Sequence, residues 1–143
     1  MKKIFATFIA LTAVSFVFAQ TKLADVAQFK AETIDLGTMK QNEPKTAVFE
    51  VKNIGKTPLI IETASPTCGC TIGDYTKEPI APGKWGKITA TYNAAALGAV
   101  QKSMTVKFAG VDEVKSIHFT GNVLSPEDFA KQSAFKKKPA KKG

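Results

Sequence analysis

Apolar and polar residues alternate with a period of two along much of the chain between residues 32 and 123, and Gly, Pro and Asn interrupt them at short intervals. Ile34 and Leu36 open the series, which Gly37 closes. Ala47, Phe49 and Val51 share one parity, with Thr46, Glu50 and Lys52 on the other. After a turn over Asn53-Ile54-Gly55-Lys56-Thr57-Pro58, Leu59, Ile61 and Thr63 resume the alternation opposite Glu62. Beyond a loop over 73–86, Ile88, Ala90 and Tyr92 alternate with Lys87, Thr89 and Thr91. Met104, Val106 and Phe108 follow against Ser103, Thr105 and Lys107, then Ile117, Phe119, Gly121 and Val123 against Ser116, His118, Thr120 and Asn122.

Residues two apart share a strand face, so each segment predicts a short strand with one oily side. Together they predict an all-β, antiparallel sandwich or barrel of about seven strands. A parallel sheet would need intervening helices, and only 23–29 offers a helical period. There the pattern fits a short helix and a leading strand equally.

The ends of the chain read differently. Lys2 and Lys3 precede an apolar run from Ile4 to Phe18, and Val17-Phe18-Ala19 has the residues of a signal-peptidase site. The run is shorter than the ~20 residues of a membrane span. The expectation is a signal peptide over 1–19 cleaved after Ala19, Gln20 rather than a lipid-bearing Cys at the new terminus, and a periplasmic or secreted product. Residues 20–30 form a lead segment and 31–124 the domain. Residues 125–143, with few apolar groups and six lysines, are expected to be a disordered tail.

The net charge of +8 loses its force once it is located. Lys2 and Lys3 leave with the signal, the tail holds a surplus of four positive charges, and the body keeps only two. No Arg is present, and Arg is the main bidentate reader of phosphates and base edges. Nucleic-acid binding by the body is therefore not expected.

The Phe49-to-Ile61 stretch containing Asn53-Ile54-Gly55-Lys56-Thr57-Pro58-Leu59, the Ser65-Pro66-Thr67-Cys68-Gly69-Cys70-Thr71 segment, Pro79-Ile80-Ala81-Pro82-Gly83, Tyr92-Asn93 and Thr120-Gly121-Asn122-Val123 occur in an order that resembles the domain of unknown function 1573 family. The resemblance covers about 31–124. It implies an exported protein of the kind abundant in Bacteroidetes and an immunoglobulin-like sandwich, similar in architecture to major sperm protein domains. Thr67 departs from the Ser or Ala usual before the first Cys, and Trp85 stands in a turn usually filled by small polar residues. The family brings no agreed activity.

Cys68 and Cys70 are the only cysteines and the one pair with evident chemistry. On a flat strand their Cα atoms would lie roughly 6.6 Å apart, near the limit for a disulfide. Gly69 can take a positive φ and fold the segment into a turn. Such a bond would close almost no loop, and chain entropy assigns it only ~1.6 kcal/mol. Three readings stand: a local disulfide that stiffens the loop, two reduced packing thiols, or a functional pair that exchanges disulfides or holds a soft metal such as Cu(I). Zinc would need four ligands. Met39 or Met104 could assist copper, but Met104 has core parity, and His118 points outward. Thiolate activation needs nearby positive charge, and in sequence the nearest downstream lysine is Lys77, with none within six positions upstream.

No Gly-x-Ser-x-Gly elbow, phosphate-binding Gly loop or His pair is present. Glu50 and Glu62 fall on polar strand faces, and Asp74 and Glu78 are a generic loop pair, so no enzyme and no cofactor is expected. Tyr75 and Trp85 flank the loop with Pro79 and Pro82 and are candidate anchors for a partner, or else caps of the sandwich end. Lys136, Lys137, Lys138, Lys141 and Lys142 could touch an anionic surface or simply solubilise. The function expected is a non-enzymatic module binding a protein or envelope component through loops or edge strands, the alternative being a thiol-redox or copper protein.

Overall fold

The computed structural model describes residues 21–136. The predicted signal peptide and its cleavage site, with Lys137, Lys138, Lys141 and Lys142, lie outside the described residues. The chain forms α1 (Leu23–Val26), β1 (Ala27–Phe29), β2 (Thr33–Lys40), β3 (Lys45–Asn53), β4 (Ile61–Pro66), β5 (Thr71–Tyr75), β6 (Trp85–Tyr92), β7 (Gly98–Phe108), β8 (Val114–Leu124) and α2 (Pro126–Lys136). The ambiguous lead segment is thus both things in turn, one helical turn and then a strand.

Two four-stranded sheets face each other, the first in the order β1-β3-β6-β5 and the second β2-β8-β7-β4. The alternating apolar residues meet between them. Phe49, Val51, Ile88 and Ala90 of the first sheet and Met104, Val106, Phe108, Ile117, Phe119 and Val123 of the second are almost fully buried. Phe29 meets Phe108 edge-on at 6.2 Å, and Tyr92 tilts against Phe119 at 6.1 Å. This is the sandwich the alternation predicts, with eight strands.

Four details correct the sequence reading. β5 overlaps the start of the span taken as a loop. Its five residues hold Gly73 and Asp74 and expose Ile72, so a short edge strand shows no oily face. Second, β2 runs parallel to β8; no helix is needed, because the intervening strands, which pass through both sheets, form the crossover. Third, Gly37 does not end β2. It sits at φ +65° with its N–H donating to Asp35 Oδ1 at 2.8 Å, and the register shifts there. A bulge of this kind resets the parity, so Leu36 and Met39, three apart, are both buried. Fourth, a register shift between Ile61 and Thr63 turns Thr63 to solvent and buries Ala64 instead.

The tail departs most from expectation. Residues 126–136 are helical rather than disordered. Ser125 caps the helix: its Oγ accepts from the Asp128 N–H at 3.2 Å and donates to Asp128 Oδ2 at 2.8 Å. Pro126 stands at the first helical position, where its missing N–H costs nothing. Phe129 and the neighbouring turn lie against Leu36, Gly37 and Thr38 of β2. The local Ser125-Pro126-Glu127-Asp128 order supplies this cap, which the lysine-rich composition of 125–143 does not reveal.

Asn53, at the end of β3, is fully buried. Its Nδ2 donates to Thr57 O at 2.8 Å and to Ile80 O at 2.7 Å, and its Oδ1 accepts from the Gly55 N–H at 2.9 Å. Its backbone N–H donates to Lys84 O, and its carbonyl accepts from the Gly83 N–H. One side chain therefore ties its own turn to the 80–84 loop, beside the Leu59–Ile80 bridge.

Candidate functional site

Thr67-Cys68-Gly69-Cys70 is the corner at which the chain leaves β4 of the second sheet for β5 of the first. Cys68 and Cys70 are joined by a disulfide with Cα atoms 5.4 Å apart, closer than a flat strand allows, so the segment is bent. The bend does not use a positive φ at Gly69, which is not among the left-handed glycines; that expectation is corrected. Hydrogen bonds make the turn: the Thr71 N–H donates to Cys68 O at 3.3 Å, and the Asn93 N–H to Cys70 O at 3.1 Å. On the β4 side, the N–H and the hydroxyl of Thr67 both donate to Ser103 O, at 3.1 and 3.0 Å. The family-atypical Thr67 thus has a definite place.

Two further residues belong to this corner, and the sequence reading passed over both. Thr71 is buried, and its hydroxyl lies 3.6 Å from Cys68 Sγ and 4.0 Å from Cys70 Sγ. Lys102 follows on β7. β4 pairs Pro66 with Met104, and Thr67 bonds to Ser103 O, so Lys102 is the next β7 residue on the side toward which the corner leaves. Lys102 pairs with the buried Phe119 on β8, which places it at an inner-face position, and it is half-buried. Among the described residues it makes no ion pair. Its parity with Met104, Val106 and Phe108 was the available signal.

Tyr75 and Trp85 do not form one patch. Tyr75 pairs with the buried Ile88 and so faces inward, its hydroxyl donating to Glu62 O at 2.8 Å and its ring beneath Lys77 Nζ at 3.4 Å. Trp85 faces the other way, half exposed, near Lys52 Nζ at 5.8 Å. Its parity with Lys87, Thr89 and Thr91 announced this. On the same outer face lie Val48 and Ile72, 46% and 75% exposed, among Thr46, Thr89 and Thr91. The outer face of the second sheet instead shows Ser103, Thr105, Ser116, His118, Thr120 and Asn122, with Val114 at its margin.

Glu50 anchors the charged row of the first face, 2.5 Å from Lys30 Nζ. The hydrogen bond from Lys30 and its charge, helped by Lys87, hold the Glu50 carboxyl below its usual range. The carboxylate's folded pKa is therefore depressed. Stability from the pair is complete above the ordinary glutamate value of about 4.3 and is lost as pH falls through the lowered value. Lys30→Gln is expected to move the Glu50 titration, followed by NMR, back toward that ordinary value; an unchanged midpoint would show that Lys30 is not the cause.

The other candidates are scattered. Asp74 Oδ1 accepts from the Tyr75 N–H and pairs with Lys77 at 3.5 Å, while Glu78 is exposed in the next turn. Glu62 pairs with Lys107 at 3.2 Å. Met39 and Met104 are core residues beneath Gly121 and Gly73, which leaves neither on the surface to meet a metal. His118 is half-buried on the outer face between Thr33 and Ser103. Among the described residues no three His, Cys, Asp or Glu side chains cluster as metal ligands, and no helix is long and apolar enough to cross a membrane.

Residues 27–123 match a family described as a protein of unknown function, DUF1573. No curated protein matches the chain. Among solved structures it is similar to a protein of unknown function from Porphyromonas gingivalis W83, with a TM-score of 0.59 and 14% identity, over 68% of this chain and 46% of that one. The ASH/PapD-like domain 7 of human CEP192 gives 0.56 and 16%, over 79% and 96%, and the Vibrio cholerae VesB protease 0.55 and 13%, over 71% and 33%. This chain thus spans under half of the Porphyromonas and Vibrio proteins. At such identities the likeness is one of fold.

Proposed function

This chain belongs to the DUF1573 family of proteins of unknown function, and from that membership and its fold we propose that it is an exported, non-enzymatic binding module. The contact surface is the outer face of its first sheet. Export rests on the charged and apolar pattern of residues 1–19, and a periplasmic or secreted location follows from cleavage after Ala19. A disulfide in the folded domain fits an oxidising compartment.

One observation carries the binding reading: the two outer faces differ. The first presents Val48 and Ile72 among Thr46, Thr89 and Thr91, with Trp85 on the far side of the Glu50–Lys87 row, whereas the second is mainly polar, with Val114 at its margin. Exposed aromatic and aliphatic groups on a flat, rigid sheet favour a protein partner with a complementary apolar patch. Edge pairing through β4 and β5 is less favoured, because β4 starts with a bulge and ends in Pro66, and Gly73 of β5 packs against the β4 backbone. The lysines at 136–142 add a contact to anionic surfaces, worth ~1 kcal/mol each near a charged membrane.

The test is recovery of partners from envelope fractions by the full chain and by a Val48→Glu/Ile72→Lys double variant. Exposed substitutions of this kind change stability by roughly 0.5 kcal/mol or less each, so the variant stays folded, which circular dichroism verifies. The same partner should be captured by the parent and lost by the variant. Equal recovery by both proteins, or none by either, would overturn the reading.

A further inference from the structure

We propose that Cys68 and Cys70 form an exchangeable disulfide that reacts with dithiol partners, with Thr71 and Lys102 stabilising the sulfur that leaves. The inference goes beyond the binding function and does not depend on it.

The bond is placed where it is not needed as a staple. The turn is closed by Thr71 on Cys68 O, and its flanks are held by Thr67 on Ser103 O and Asn93 on Cys70 O. Opening the bond leaves these in place, and a two-residue separation constrains the unfolded chain very little. Both cysteines are half-buried, within reach of a small or surface-presented thiol.

The surroundings suit a thiolate. The Thr71 hydroxyl, buried against solvent, finds its partners among the described residues in the two sulfurs, Cys68 Sγ being the nearer. Lys102 adjoins Ser103, the partner of Thr67, on β7, is half-buried, and makes no ion pair among the described residues. Positive charge and a hydroxyl donor both lower the cost of a sulfur anion, and a better leaving thiol departs faster.

The exchange runs in two steps. A partner thiolate attacks Cys70 Sγ; a mixed disulfide forms, the Cys68–Cys70 bond breaks, and the electron pair leaves on Cys68 Sγ. The partner's second thiolate then attacks the partner sulfur of that mixed disulfide and releases Cys70 as a thiolate. Two electrons pass to this chain. The partner ends as a disulfide, and Cys68 and Cys70 take up the two protons the dithiol gave up.

Dithiothreitol is the probe dithiol, acting on the full chain at fixed pH while alkylation and mass count thiols and circular dichroism follows the fold. The bond is expected to open with the β-sheet signal retained. Thr71→Val and Lys102→Gln should each slow opening about three- to tenfold, and Thr71→Ser and Lys102→Arg should restore most of the rate. Opening only in step with unfolding, or parental rates in both Thr71→Val and Lys102→Gln, would overturn the proposal and leave the binding reading untouched.

Discussion

Asn53→Asp is expected to destabilise the domain by roughly 3–5 kcal/mol at neutral pH, a fall in Tm on the order of 15 °C. The substitution keeps shape and volume and changes only what the side chain offers. Nδ2 donates to the carbonyls of Thr57 and Ile80; an ionised carboxylate there sets a buried charge against two acceptors. Its pKa in the folded protein must rise, since burial and the facing carbonyls disfavour the anion. The loss is therefore smallest below the unfolded aspartate value of about 3.9 and grows as pH rises above it. Thermal melts of parent and variant at pH 4 and pH 7 measure this. A difference of under 2 °C at pH 7 would mean the turn does not depend on these bonds.

Phe108→Ala should cost a similar amount, about 3–5 kcal/mol, by a different route. Phe108 is completely buried and meets Phe29 edge-on. Truncation removes apolar burial and opens a cavity in a sheet-to-sheet interior too rigid to close it. β1 has only three residues, paired with β3 alone, so losing the Phe29–Phe108 contact should free it before the rest. Denaturant unfolding should show the loss with little change in slope, and hydrogen exchange should show early loss of protection at 27–29. Phe135→Ala, at a side chain 79% exposed, serves as the control and should change stability by less than about 0.5 kcal/mol. Equal effects in the two variants would contradict the burial argument.

The candidate site was legible in unequal parts. Cys68 and Cys70 stand out because no other cysteines exist. Lys102 did not, although its parity places it with the core residues of β7. What it faces depends on how β4 lies on β7, and that register is set by a bulge near Glu62. Asn53 was legible as a turn residue, yet its burial comes from the 80–84 loop folding over it, a contact between segments far apart in the chain. Tyr75 and Trp85 were joined by sequence proximity; an edge strand and a turn between them put one inside and the other out.

Strand alternation is local chemistry: adjacent side chains must point to opposite faces, so the amino-acid order alone determined the sandwich class, the oily side of most strands and the outer face on which His118 lies. Pairing is not local. Only the packed fold decided that β2 runs parallel to β8, that Gly37 and the β4 shift reset the parity, and that Thr67 beside the disulfide is held by Ser103 of β7, because each depends on which distant backbone fills an open row of hydrogen bonds.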